Sequence, residues 1–155
     1  MKKILYLIIF IITILPAVQA SEQDAMKFFN RYVTLSNQWS LEVVGMYSAN
    51  PVIKRLVLNN NPVLVTVPFS EQKKILEYYN KHKFLLKGVR NDYKSVRVNE
   101  LGNGKYKISA QRCPSMMKSC FNSYMIIQKQ NGEYKLVEEY SEVKSKYFLR
   151  YGDKK

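Results

Sequence analysis

From Asn91 to Val143 apolar and polar residues alternate with a period of two, and turn formers or a short cysteine loop interrupt the alternation three times. Successive side chains of a strand point to opposite faces, so this pattern predicts half-buried strands over Tyr93–Asn99, Lys105–Arg112, Phe121–Gln128 and Tyr134–Val143. Gly102-Asn103-Gly104 joins the first two, and Asn131-Gly132 joins the last two, as tight hairpin turns. The loop Cys113-Pro-Ser-Met-Met-Lys-Ser-Cys120 joins the middle pair. Facing residues on neighbouring antiparallel strands have Cα atoms about 4.5–5.5 Å apart, a span that a disulfide can bridge. The hairpin and a Cys113–Cys120 disulfide therefore support each other.

The first half of the chain reads differently. Met26, Phe29 and Val33 recur at helical spacing, with Phe28, Tyr32 and Leu35 beside them, which predicts a helix with a wide apolar face. Leu41–Tyr47 reads as a second short helix that ends near a Ser48-Ala49-Asn50-Pro51 turn. Val52–Leu58 and Val63–Val67 read as strands around Asn59-Asn60-Asn61-Pro62. After Pro68, Ser70 is the expected cap of a further helix that carries Ile75, Leu76, Tyr79 and Leu86 and closes at Gly88.

Residues 1–20 have the layout of a secretory leader. Lys2 and Lys3 precede the apolar run Ile4–Leu15, Pro16 breaks it, and Val18 and Ala20 place small residues at the −3 and −1 positions of a cleavage site. The run falls short of the roughly 20 apolar residues a spanning helix needs. The expected organisation is a leader over 1–20, one domain over 21–146 and a basic tail over 147–155, in the periplasm or outside the cell. An even cysteine count suits an oxidising compartment.

Without the leader, 23 of the 25 Lys and Arg residues remain against 12 acids, a net charge of +11. Such a charge attracts anionic surfaces within a Debye length of about 10 Å at 0.1 M salt. Export turns that attraction away from nucleic acid and toward envelope surfaces, wall polymers or an acidic protein. The Lys residues are also scattered along the chain, which suits a compositional origin equally well.

Helix, short helix, strand, short strand, helix, then four antiparallel strands: this order resembles the nuclear transport factor 2-like superfamily, with its cystatin-like α+β cone. The resemblance also rests on Met46-Tyr47-Ser48-Ala49-Asn50-Pro51-Val52-Ile53, on Lys107-Ile108-Ser109-Ala110-Gln111-Arg112 and on Glu133-Tyr134-Lys135-Leu136-Val137-Glu138-Glu139. It implies a curved antiparallel sheet of four long strands and one or two short ones, wrapped around about three N-terminal helices to leave a pocket. Enzymes, ligand binders and protein-partner modules share that shape, so the fold by itself assigns no activity.

Strand parity places Tyr106, Ile108, Ala110 and Arg112 on one face, and Leu136, Glu138 and Tyr140 on another. If both faces look into the cone, Arg112 and Glu138 form an inward ion pair with Tyr106 and Tyr140 nearby, a polar floor for a small polar or anionic ligand. His82, the one histidine, shares its helix side with Ile75, Tyr79 and Leu86 and is the remaining candidate. Members of the superfamily that isomerise steroids or cyclise polyketides resemble one another in placing an Asp or His base in the pocket; here no acid is paired with His82 in sequence. One histidine and a bridged cysteine pair do not supply a usual metal site, and no cofactor motif is present.

The resulting expectation is an exported binding or interaction module without catalytic residues, cofactor or nucleic-acid partner, monomeric or dimeric through its sheet. Two other readings stand beside it: a protein-partner role, as a toxin immunity protein or secretion-system component, and a small isomerase or hydrolyase. The twelve tyrosines, among them Tyr78, Tyr79, Tyr147 and Tyr151, and the Met116-Met117 pair offer contact residues for such a partner.

Overall fold

A computed structural model describes residues 21–152; the expected leader and the last three residues lie outside the described residues. Helix α1 occupies 21–37. Its Ala25, Phe29 and Leu35 are buried, with Met26, Tyr32 and Val33 half-buried beside them. It closes at Trp39, which takes a left-handed φ of 54°. Ser40 N–H donates to Leu35 C=O at 3.0 Å and Trp39 N–H to Ser36 C=O at 3.1 Å, the paired bonds of a Schellman cap. That position ordinarily takes glycine, and a tryptophan there pays a steric cost. A 3₁₀ helix follows over Leu41–Met46, capped by Ser40 Oγ and burying Val43 and Met46.

Six strands form one sheet: β1 Tyr47–Val57, β2 Val63–Thr66, β3 Asn91–Gly102, β4 Lys105–Pro114, β5 Phe121–Gln130 and β6 Glu133–Val143. Their order is β2-β1-β6-β5-β4-β3, antiparallel throughout except where β1 runs parallel to β6. The alternation predicted four long strands; β1 makes a fifth. Ser48-Ala49-Asn50-Pro51, expected as a turn, instead lies inside β1, where the register with β6 slips between Tyr47 and Val52. A bulge accommodates Pro51 because it frees its position from the ladder.

The Asn103-Gly104 and Asn131-Gly132 turns have positive φ at both residues: 52° and 67°, then 50° and 85°. This is the type I′ geometry, whose twist matches that of the flanking strands. One step beyond the Arg112–Phe121 pair, Cys113 and Cys120 are disulfide-bonded with Cα atoms 4.1 Å apart. Ser115 ties this loop to the start of β3, its N–H donating to Arg90 C=O at 2.8 Å and its Oγ accepting from Arg90 N–H at 3.1 Å. Replacing both cysteines with alanine is expected to lower the unfolding free energy by about 2–3 kcal/mol, the chain-entropy value for so short a loop. Urea unfolding of the oxidised protein and the double variant measures it; equal midpoints would remove the staple's contribution.

Helix α2 runs over Phe69–Lys81. Pro68 occupies the cap position without a side-chain bond, so Ser70 lies within the helix and is not its cap. The helix stops earlier than its apolar pattern suggested, and a 3₁₀ turn over Lys83–Leu86 continues to Gly88, whose φ is 86°. Asn80 Nδ2 donates to Trp39 C=O at 2.7 Å, fixing α2 to the end of α1. The segment expected as a tail joins the fold: Lys146–Tyr151 is a 3₁₀ helix whose Phe148, Leu149 and Tyr151 pack against the core. No helix among the described residues is long and apolar enough to cross a membrane.

Candidate functional site

The helices and the sheet form a half-open cavity of about 450 Å³. Its walls include Phe29, Val43, Leu76, Leu86, Ile108 and Phe121, all apolar. Its polar floor comes from β1 and β6. On β1, Ile53, Arg55 and Val57 share the inward parity and all three are buried. On β6, Glu139 and Ser141 turn inward and are buried.

Arg55 Nη2 donates to Glu139 Oε1 at 2.7 Å, with side chains only 6% and 11% exposed. The Tyr47 hydroxyl donates to Glu139 Oε2. Arg55 also donates through Nη2 to Gln72 Oε1 at 3.4 Å and through Nη1 to Lys54 C=O at 3.0 Å. Its guanidinium lies 5.9 Å from the centre of the Phe148 ring. A buried pair is tolerable only when further hydrogen bonds take up its remaining donors and acceptors, and Tyr47, Gln72 and the backbone do so here.

Burial is the largest single influence on Arg55 and works to lower its pKa, but the adjacent Glu139 charge, the neighbouring Tyr47 and Tyr32 and the hydrogen bond to Glu139 together raise it. Tyr47 rises well above the ordinary tyrosine value of 10.0, chiefly by burial and then by the Glu139 charge. Tyr32 rises for the same two reasons, and burial pushes Tyr93 up to about 12. For each tyrosine the unfolded chain ionises first, so it binds fewer protons than the fold once the pH passes 10. Stability is therefore full below pH 10 and falls above it, until the folded phenols titrate in turn. We expect alkaline unfolding to coincide with the late rise in phenolate absorbance. A variant carrying Tyr32→Phe and Tyr93→Phe should shift that unfolding to higher pH.

The Arg112–Glu138 pair predicted from strand parity is not formed. In β6 the register with β5 slips between Ile126 and Ile127: Ile127 faces Leu136 and Ile126 faces Glu138, which leaves Val137 as an extra residue. This bulge reverses the parity beyond it, so Leu136 and Glu139 both face inward although three positions apart. Glu138 instead accepts from Lys54 Nζ at 2.9 Å and from the Tyr124 hydroxyl at 2.6 Å. Burial works to raise the Glu138 pKa, but those two hydrogen bonds prevail and hold it below the usual carboxylate value.

Arg112 does line the cavity, and Tyr140 borders it with its ring stacked on Tyr124 at 5.0 Å. Tyr106 is buried in the core against Tyr134, outside the cavity lining. His82 is also outside it: it ends α2, with Nδ1 2.8 Å from Tyr78 C=O and its ring 4.3 Å from that of Tyr78. Arg55, Gln72 and Tyr47 were missed. The signal for Arg55 was its inward parity between Ile53 and Val57. Among the described residues no three His, Cys, Asp or Glu side chains are grouped to hold a metal ion.

No family model matches the sequence. No curated protein matches it either. Solved structures do match. A nuclear transport factor 2-like protein of unknown function from Pseudomonas putida KT2440 superposes with a TM-score of 0.60 at 11% identity, over 87% of this chain and 94% of that one. A nuclear transport factor 2-like protein with a cystatin-like fold from Novosphingobium aromaticivorans gives 0.59 at 7% identity, over 90% and 93%. The chain has the nuclear transport factor 2-like fold. A third structure with this fold, a candidate scytalone dehydratase from Novosphingobium aromaticivorans, gives 0.55 at 10% identity, over 82% and 86%. At these identities the nuclear transport factor 2-like cone is what the likeness establishes, and the cavity residues must carry any argument about function.

Proposed function

We propose that the protein is an exported, non-enzymatic binding module whose cone takes one small ligand with a polar or anionic end. The observation that carries this is the cavity itself, with largely apolar walls over a floor held in place by the Arg55–Glu139–Tyr47 network. Its volume of about 450 Å³ falls within the roughly 300–1,000 Å³ of small-molecule sites. The Cys113–Cys120 disulfide and the leader-like residues 1–20 support a location outside the cytoplasm.

Binding is preferred over catalysis because of how Glu139 is used. Both of its oxygens already accept a hydrogen bond, one from Arg55 and one from Tyr47, so the carboxylate's shown role is to hold the floor. A dehydratase reading stands second, favoured by the carboxylate–tyrosine contact inside the cone and by the candidate scytalone dehydratase of the same fold.

Native mass spectrometry of the full chain, expressed with residues 1–20 and purified from the periplasm, tests the proposal. The expected species begins at Ser21, is two hydrogens lighter than its reduced mass, and carries a small molecule at one-to-one stoichiometry. A chain that retains residues 1–20 would contradict export, and a bare monomer from every preparation would contradict the binding role.

A further inference from the structure

We infer that the ligand is an apolar carboxylate, with its charged end taken by the Arg112 and Trp39 donors and its apolar body against the walls beside them. This rests on the cavity reading above and names the chemistry the cavity selects. The floor is already neutral, since Arg55 and Glu139 satisfy each other. The other charged residues lining the cavity, Arg90, Arg112 and Lys144, are all cations, and of these only Arg90 has a carboxylate partner among the described residues, Asp92 at 3.3 Å.

Arg112 donates only to neutral acceptors: Nη1 to Asn91 Oδ1 at 3.0 Å and Nη2 to Glu142 C=O at 3.1 Å. The Glu142 carboxylate forms no ion pair with Arg112; its two oxygens accept from Asn122 N–H and Asn122 Nδ2. Arg112, half-buried, and Lys144, exposed, each stand 5.8 Å from the centre of the Phe121 ring, so the lining around Phe121 carries two cations with no ion-pair partner among the described residues.

The unsatisfied atoms point the same way. Among the described residues, two buried side-chain polar atoms lack a hydrogen-bond partner, Arg112 Nε and Trp39 Nε1, and both belong to residues that line this cavity. Both are donors and neither can accept, so the missing complement is an acceptor. The two segments are bracketed together. Asn91, which holds Arg112, donates its N–H to Asn37 Oδ1 at 2.8 Å and accepts from Asn37 Nδ2 at 3.0 Å, two residues before Trp39. Trp39 in turn is held in its left-handed conformation by the helix cap and rests on Tyr79 with ring centres 5.0 Å apart. A guanidinium matches a carboxylate as a planar fork, and a charge-assisted bond of that kind is stronger than one to a neutral head.

Trp39 is the one tryptophan of the chain, so its fluorescence reports the cavity directly. Titrations with octanoate, octanol and octylammonium compare one apolar body carrying three heads. Octanoate is expected to shift the emission saturably and to bind at least about tenfold tighter than octanol, as a charge-assisted bond requires. Arg112→Gln should bring octanoate down to octanol's affinity and leave octanol unchanged. The comparison on the unaltered protein is decisive even if that variant does not fold. Octanol or octylammonium binding as tightly as octanoate would overturn the carboxylate assignment and leave the cavity reading standing, with water as the partner of the two donors. No response to any of the three would overturn both.

Discussion

Glu139→Ala is expected to lower the unfolding free energy by about 3–5 kcal/mol, whereas Glu138→Ala, one position earlier, should cost no more than about 1 kcal/mol. Removing Glu139 strands the Arg55 guanidinium, 6% exposed, without a counter-charge and frees the Tyr47 hydroxyl from its acceptor. Glu138 is half-buried on the outer face of the sheet, its side chain 22% and that of its partner Lys54 33% exposed, so water can reach the site and replace the lost bond. Urea unfolding of the two variants measures the difference directly. The double variant Arg55→Met with Glu139→Leu should recover most of the loss, because a buried pair exchanged for apolar side chains of similar volume loses its desolvation penalty along with its attraction. Equal costs at 138 and 139 would mean that β6 lacks the bulge assigned to it.

Leu136→Ala is the second large effect, about 2–5 kcal/mol. Leu136 is fully buried and faces Ile127, also fully buried, on the residue pair just before the register slips. It also aligns with Tyr47 of β1 across the parallel ladder. Truncation would therefore open a void at the level where both strands bend. Leu64→Ala on the edge strand β2, at 56% exposure, should stay within about 0.5 kcal/mol of the unaltered protein. Thermal or urea unfolding distinguishes the two, and a Leu136 variant as stable as the Leu64 variant would contradict the placement of the core.

Most of the sheet was legible in the sequence because local chemistry specifies it. Asn-Gly admits two successive positive φ angles, so the hairpins after β3 and β5 could be placed from dipeptides alone. The cysteine spacing supplied the remaining connection. The candidate site was legible only in part, for a physical reason. Counting alternate residues along β6 works until a residue is inserted, and nothing local distinguishes Val137 as the inserted one. The count therefore reached Glu138 where the fold uses Glu139. In β1, Pro51 suggested a turn because proline cannot donate to a ladder, yet a bulge frees its position and the strand continues through it. Arg55 went unnoticed because a charged residue is rarely assigned to a core, although its neighbours Ile53 and Val57 marked the position as inward. Arg112 was found because β4 alternates without interruption from Lys105 to Ala110.

The proposed binding role depends on a cavity between helices and sheet that is open to an amphipathic molecule. Anilinonaphthalene sulfonate binding to the folded protein at neutral pH, compared with binding to Ala110→Trp, tests this most directly. Ala110 lines the cavity and is only 8% exposed, so an indole there would occupy the space without touching the sheet's outer face. We expect saturable one-to-one dye binding by the unaltered protein and at least a tenfold loss in Ala110→Trp, which should stay folded because overpacking costs about 1–3 kcal/mol. Equal dye binding by the two proteins would place the dye on the exposed surface and contradict the account.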